Sequence, residues 1–392
     1  MLTPSTVPGL LLIVLATLYA LAALLCRPRT WRRAQPGADG APRPVSVLKP
    51  LCGAEPRLEQ NLETLCAQHH PSFQLVFGVR SPDDPAIAVV ERIRLRHPAL
   101  DIALVVDSWV HGSNLKVSNL VNMAPQARHP WLVLADSDIA VEPDYLERVT
   151  APLSDPRVGI VTCLYRGRAT AGFWSRLGAL FIDTWFAPSV AVASRGGSSD
   201  FGFGATIALR AEVLRAIGGF EALKDRLADD FWLGELARRR GLATVLSDVR
   251  VSTDVTETRL AALWRRERRW MQTIRSLNPA GYAFCFVTFT LPMLALGLWL
   301  APGAWSWALA SIGLCARMAL QARTSPGPAN FLLAPLRDCL LLLEWLSAFA
   351  GATARWRDHL LSIDRRDRRG RPDRGGARPA SLDKPEPGRS PR

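Results

Sequence analysis

The hydrophobic positions of this chain fall into two patterns of different length. Residues 9–26 form an uncharged apolar run about long enough to cross the hydrocarbon of a bilayer, and residues 281–300 and 305–320 are two further predominantly apolar runs. Between them the apolar residues come in short, β-branched runs at 45–51, 75–79, 102–106 and 132–135. Helix-compatible stretches beginning near Pro56, Asp84 and Asn114 separate these runs. That rhythm predicts right-handed βαβ units around a parallel sheet, an α/β domain set between membrane segments. The chain divides accordingly into an anchor with a basic flank over 1–34, an α/β domain over 40–275, a membrane region over 281–354 and a basic tail over 355–392. The tail is expected to be disordered beyond about Gly370.

The first apolar run has no Lys or Arg ahead of it and no clear small-x-small cleavage site behind it, so it is read as an uncleaved anchor rather than a signal peptide. Arg27, Arg29, Arg32 and Arg33 follow it directly, and the positive-inside bias places the next domain in the cytoplasm. From Arg355 onward 12 Lys and Arg stand against 6 Asp and Glu, which puts the tail on the same side. Residues 330–354 are interrupted by Arg337, Asp338 and Glu344, charges that need pairing or an interfacial position. That segment is expected to be interfacial or re-entrant, leaving one anchor and two later spans.

Composition sharpens this picture at three points. A chain of 392 residues that is 48% hydrophobic can bury a full core and keep apolar sequence for a membrane. Its net charge of +13 is concentrated beside the spans and in the tail, with no recognised nucleic-acid motif, so anionic lipid headgroups explain it and nucleic acid is excluded as a partner. The 7 cysteines have no CxxC spacing, and they are expected to be small buried hydrophobes in a reducing compartment.

In a parallel sheet ligands collect at the carboxyl ends of the strands, and there the acidic groups fall: Asp84 after the second strand, Asp136 and Asp138 after the fourth. In an extended segment residues i and i+2 point to one side, so Asp136 and Asp138 can face one ion or one ribose. A hard divalent cation, Mg²⁺ or Mn²⁺, bound by such carboxylates would neutralise a nucleotide diphosphate. Asp84 equally suits an N-cap before Pro85. Lys116 and Asn119 lie near the start of the next helix, where a cation and backbone N–H groups favour phosphate, although Lys116 alone fits a solvated lysine. Asp229 and Asp230 open a helix, whose dipole stabilises them whatever their function. A carboxylate so placed can take the proton of an attacking hydroxyl, and Asp230 is the candidate base. Arg266, Arg269 and Trp270 either close over a diphosphate or form a basic-aromatic interface helix. The aromatic stretch 173–186 suits an interfacial helix that admits an apolar substrate or a core helix on the sheet. Trp174 within it, and Gly202, Gly204 and Thr206 after it, are candidates for the acceptor and sugar side.

In this order, Asp84, Asp136, Asp230 and the run Arg266, Glu267, Arg268, Arg269, Trp270 resemble the signature of the ceramide glucosyltransferase family, glycosyltransferase family 21: three spaced aspartates followed by (Q/R)xxRW. The likeness runs from the first anchor to about Arg357. It implies a GT-A fold and inverting transfer of a sugar from a UDP donor to a membrane lipid. Within the family, stretches 116–123, 159–168, 203–210 and 217–223 are similar to bacterial hopanoid biosynthesis-associated glycosyltransferases. That implies transfer of N-acetylglucosamine to a hopanoid such as bacteriohopanetetrol at the bacterial inner membrane; the alternative is a ceramide or sterol-type acceptor with UDP-glucose. The resemblance places Asp84 at the uridine end, Asp136 and Asp138 at the diphosphate and its Mg²⁺ or Mn²⁺, and Asp230 at the acceptor hydroxyl. Arg269 and Trp270 fall at the diphosphate and acceptor side. The chain departs from the pattern at Ser81, where relatives often carry Asp. A processive polysaccharide synthase shares (Q/R)xxRW but brings more spans. A non-enzymatic basic membrane scaffold would have no need of the aspartates.

Overall fold

The computed structural model describes residues 6–31, 42–350, 353–356 and 359–362. Arg32, Arg33 and most of the basic tail lie outside the described residues. The chain begins with helix α1 (Thr6–Leu25) and continues as β1 (Val45–Pro50), α2 (Leu58–Cys66), β2 (Phe73–Val79), α3 (Ala86–Arg96), β3 (Asp101–Val106), α4 (Leu115–Met123) and β4 (Trp131–Ala135). These four strands are the runs predicted from the sequence, and they are parallel in the spatial order β3-β2-β1-β4. Almost every residue of β1, β2 and β4 is buried, because helices cover both faces. On one face Leu58, Leu62, Val90, Ile93 and Tyr145 pack on the sheet; on the other Val117, Leu120, Val213 and Trp232 do so.

The second half departs from the all-parallel expectation. It comprises β5 (Ile139–Ala140), α5 (Tyr145–Thr150), β6 (Val158–Ala169), α6 (Phe173–Leu180) running through a π-helical turn (Phe181–Phe186) into α7 (Ala187–Arg195), β7 (Thr206–Arg210), α8 (Ala211–Ala216), α9 (Asp229–Arg238) and β8 (Ala243–Val255). β7 inserts antiparallel between β4 and β6, β8 lies parallel to β6, and β5 closes the edge antiparallel to β8. The β1/β4 junction, where successive connections leave in opposite directions, opens a crevice at the strands' carboxyl ends.

Helices α10 (Leu260–Leu277), α11 (Pro279–Phe284), α12 (Thr290–Leu300), α13 (Ala304–Thr324), α14 (Pro328–Leu332) and α15 (Ala334–Ser347) complete the helical part. The straight span expected over 281–300 is instead broken: the helices on either side of Phe289 are bent by 74°. Pro292 explains the break, since it has no N–H to donate back across that turn. Asp338 Oδ2 accepts from the N–H of Leu291, a first-turn donor of α12 with no partner inside the helix, at 3.2 Å. α1 packs on α12 and α13 through small residues. A Cβ added at Gly9, Gly297 or Gly313 would lie 2.8, 2.5 or 2.6 Å from Ala301, Ile13 or Thr17. Trp299, Trp305 and Trp307 are exposed around the α12–α13 turn, where an aromatic belt would meet an interface. Among the described residues two helices, Thr6–Leu25 and Phe173–Arg195, are long and apolar enough to cross a membrane, but the second is 72% buried within the fold, which is the core-helix arrangement. Cys66 and Cys163 are buried as expected, whereas Cys52, Cys315 and Cys339 are exposed and all seven cysteines are free.

The charges that interrupt residues 330–354 are paired out of water. Arg337 is fully buried between Glu267 of α10, at 2.8 Å, and Glu344, at 2.7 Å, while Asp338 meets Arg317 of α13 at 2.7 Å. Removing one member of such a set strands the others. Arg337→Ala is therefore expected to cost about 3–5 kcal/mol, read as a lower unfolding temperature of the detergent-solubilised chain.

Candidate active site

Each group at the crevice is delivered by a strand or helix end. β4 ends at Ala135, and the chain continues through Asp136, Ser137 and Asp138 into β5. Lys116, on the first turn of α4, places Nζ 2.7 Å from Asp136 Oδ1 and 3.6 Å from Asp229 Oδ2. Burial lowers the proton affinity of this amine, but Asp136 and Asp229 together outweigh it and hold Lys116 charged. Asp230, at the start of α9, accepts from the backbone N–H of Gly204 at 2.9 Å and from that of Phe231 at 2.8 Å. Partial burial and then the Asp229 charge push the Asp230 carboxyl up to about 7. Gly204 is the point of convergence. A Cβ there would stand 3.4 Å from both Asp136 Oδ2 and Asp230 Oδ2 and 3.5 Å from Lys116 Nζ, so the missing side chain leaves room between base and ion pair.

Beneath this group lies Lys49, the fifth residue of β1. It is fully buried and donates to the Asp136 carbonyl at 2.6 Å. Burial lowers its amine to about 8, with Asp138, Asp136 and Glu55 opposing the shift. Ser137 Oγ donates to Glu55 Oε2 at 2.9 Å, and Thr253 Oγ1 donates to Asp138 Oδ2 at 3.0 Å. Burial, followed by the Asp136 and Glu55 charges, raises Asp138 to about 7. Two hard-oxygen ligands forced together against their own repulsion suit Mg²⁺ or Mn²⁺, which use few protein carboxylates and complete their shell with phosphate and water. The described residues also bring Glu63, Cys66 and His97 together on α2 and α3, but Glu63 is already engaged by Arg96 and His97.

The structure thus brings Lys116, Asp136, Asp229, Asp230 and Gly204 together, with Asp138 adjoining. Asp84 serves the loops. Its Oδ1 accepts from Ala86 at 2.9 Å, capping α3, and both its oxygens accept from Gly53, which has φ +77° in the loop after β1. Ser81 Oγ accepts from Asp83 N in the same turn. Two of the N–H groups at the start of α4 are already taken: Asn114 Oδ1 accepts from Lys116 and Val117. Asn119 is likewise a structural residue, buried and donating to the Gly78 carbonyl at 2.8 Å. Thr206 corrects the sequence expectation, since its side chain is fully buried in β7 and pairs with the Tyr145 hydroxyl at 3.1 Å, leaving it no acceptor-facing surface. Trp174 lies half-buried at the start of α6, edge-on to Phe173. Arg266 donates to Glu257 at 2.7 Å and lies over the Trp270 ring, which packs on Phe181 of the π-helical turn; Arg269 is half-buried on the same helix.

Several site residues were not singled out from the sequence. Lys49 reads locally as a solvated lysine before Pro50, and only the pairing of β1 with β4 buries it. Tyr165 of β6 feels Asp230, Asp136 and Asp138, and it stacks on Phe186 with ring centroids 4.9 Å apart. Phe203, next to Gly204, meets Phe186 at 5.2 Å and Phe201 at 5.5 Å. An aromatic wall therefore reaches the residue that bonds Asp230.

A family model described as Glycosyl transferase family 21 matches residues 9–369. Ceramide glucosyltransferase 1 of Caenorhabditis elegans is 27% identical over 239 residues, 60% of this chain and 50% of the relative. Ceramide glucosyltransferase 3 of the same organism is 25% identical over 60% of this chain and 51% of its own length, so the chain spans about half of each. Among solved structures, the mannosyltransferase PcManGT from Pyrobaculum calidifontis, in complex with GDP-Man and Mn²⁺, has a TM-score of 0.54 and 20% identity. It covers 88% of this chain and 97% of its own, which shows the GT-A-like fold.

The raised Asp138 has a measurable consequence in metal-free protein. Its folded value of about 7 exceeds the usual carboxylate range, so the folded state favours the protonated form and loses stability as pH rises from about 4 to about 7. Asp138→Asn is expected to unfold at a higher temperature than the unsubstituted chain near pH 8 in chelator, the difference shrinking towards pH 4. Thermal unfolding at the two pH values checks this.

Proposed function

Because the chain belongs to glycosyl transferase family 21, we propose that it is a membrane-bound inverting glycosyltransferase that moves a sugar from a UDP donor to a hydroxyl of a membrane lipid. Glucose and a ceramide-type acceptor are the first choice, since both C. elegans relatives carry the name ceramide glucosyltransferase. The observation that carries the reading is Asp230, a carboxylate raised to about 7, facing the Lys116–Asp136 pair across the side-chain-free Gly204.

In this reading Asp230 takes the proton of the acceptor hydroxyl as its oxygen bonds to the anomeric carbon, and the bond from that carbon to the diphosphate breaks, releasing UDP. Attack from the face opposite the leaving group inverts the anomeric centre. Asp136 and Asp138 would hold Mg²⁺ or Mn²⁺, which supplies positive charge to the diphosphate. Lys116 fixes the Asp136 carboxylate from one side while Lys49 holds its carbonyl from below. Asp84, bonded to Gly53, steadies the loops beyond β1 and β2, where the uridine end belongs. The Phe186, Phe201 and Phe203 rings give an apolar acceptor an aromatic surface beside the base. Arg27 and Arg29 at the end of α1 support a cytoplasmic orientation for the catalytic domain.

The test is turnover by membranes containing the full chain, offering UDP-glucose or UDP-N-acetylglucosamine to ceramide or to a polyhydroxylated hopanoid. Addition of a single sugar to ceramide is expected, abolished by chelator and restored by Mn²⁺ or Mg²⁺. Asp230→Asn is expected to lose roughly 10²–10⁴-fold in rate. The base works unprotonated, so kcat/KM should fall as pH drops below about 7 and level off above it. A hopanoid product would keep the mechanism and change the acceptor. Full activity in Asp230→Asn, or no product from any pair, would sink the reading.

A further inference from the structure

A cavity of about 610 Å³ lies where the end of α1, the end of α13 and helix α7 meet the β6–β8 edge of the sheet. Its walls carry Arg27, Arg166, Arg195, Arg250 and Arg323. Two carboxylates, Asp183 and Asp248, also line it, and both are engaged. Asp248 pairs with Arg148 at 3.1 Å, and Asp183 accepts the Gly167 N–H at 2.9 Å. Arg195 and Arg323 are tied to the backbone carbonyls of Arg27 and of Ala23 and Leu24, which fixes the end of α1 as one wall. Arg166 and Arg250 differ from these. β6 and β8 pair with Leu164 opposite Arg250, so Arg166, two residues on, projects from the same face as a diagonal neighbour. Both are exposed, and among the described residues neither makes a hydrogen bond or an ion pair through its side chain. Partial loss of hydration and then the Arg166 charge lower the proton affinity of Arg250; the Asp183 charge opposes this without forming an ion pair with either guanidinium.

Location decides what kind of anion fits. The cavity opens where an apolar helix meets the catalytic domain, and Ala187, Pro188 and Ala191 of α7 form an apolar side to it. Leu25, Leu18 and Leu11 of α1 are 74%, 57% and 55% exposed, a surface for hydrocarbon leading away from the arginines. We propose that this cavity is a headgroup site for a phosphate-bearing anionic membrane lipid, its phosphate held by Arg166 and Arg250 and its acyl chains lying along α1. Guanidinium forks match phosphate oxygens in pairs, and basic pockets at the cytoplasmic ends of membrane helices are where anionic headgroups collect. The site rests on the membrane placement proposed above and is separate from sugar transfer, so each can fail alone.

The experiment titrates fluorescent phosphatidylglycerol and phosphatidylcholine into the detergent-solubilised full chain, with and without inorganic phosphate. Phosphatidylglycerol is expected to bind more tightly, the R166Q/R250Q double substitution to weaken it roughly tenfold, and R166K/R250K to recover part of the loss. Without any substitution, phosphatidylglycerol should raise the unfolding temperature of the protein more than phosphatidylcholine does, which keeps the test open if the double variant misfolds. Equal binding of the two lipids, or an unchanged affinity in R166Q/R250Q, would overturn the site. Displacement by inorganic phosphate at concentrations comparable to the lipid would show a pocket for small soluble anions and overturn the lipid assignment.

Discussion

Like charges crowded at one edge of a sheet are the constraint around which this molecule is organised. Asp136, Asp138, Asp229, Asp230 and Glu55 approach one another in a partly buried crevice, where Coulomb repulsion is far stronger than in water. Two lysines make the arrangement tolerable, and both come from fixed positions in the βαβ half. Pairing of β1 with β4 in the register Leu48 to Leu134 carries Lys49 under Asp136. Capping of α4 by Asn114 sets Lys116 between Asp136 and Asp229. The balance remains incomplete, as the raised Asp138 and Asp230 show. A binding site gains from this residue of unrelieved repulsion, because a cation that enters the crevice removes it.

The C-terminal helices are joined to this edge by buried charge as well as by apolar packing. α10, which carries Arg266 and Trp270, is clamped to α15 through Glu267 and Arg337, and Arg268 and Arg275 donate to the carbonyls of Ser347, Ala350 and Phe349 just beyond. Ion pairs of this kind add little net stability over an apolar replacement, since both partners lose their hydration. What they do impose is register. A hydrophobic α10–α15 contact tolerates sliding, whereas Arg337 between two glutamates does not, so the helix bearing the RxxRW residues is held at a fixed height relative to α12, α13 and the anchor.

How much of this was legible in the sequence depended on whether the signal was local. β1 to β4 were visible because strands covered on both faces are continuous apolar runs. The partners of β6, β7 and β8 were not, since Arg166, Arg168, Asp248 and Arg250 interrupt the two long strands and nothing in β7 announces an antiparallel insertion between β4 and β6. The carboxylates at strand and helix ends could be named for the same reason as the strands, their position being fixed by the element before them. Lys49 and Asn119 were opaque or misread, because what buries them is a neighbour distant in sequence. Residues 281–300 show the limit of counting apolar residues: hydropathy registers composition, while Pro292 decides whether the backbone runs straight.

The position of the aromatic residues connects the two halves of the chemistry. In the proposed reaction a nucleotide donor would lie with the lysines and aspartates and a lipid acceptor with hydrocarbon, so the two would meet at a boundary no thicker than a few side chains. Phe203 and Gly204 are that boundary in covalent form. Phe203 packs on Phe186 and Phe201, in the layer formed by the long helix Phe173–Arg195, while the next residue gives its N–H to Asp230. The same helix touches α1 where Tyr19 meets Ser189 at 2.7 Å. Packed side chains therefore continue from α1, through Ser189 and Val190 of α7 and the rings of Phe186 and Phe203, to within one peptide unit of the candidate base. A soluble acceptor would gain nothing from such a path, whereas an amphipathic lipid would present its hydroxyl to Asp230 with its apolar body still in contact with rings.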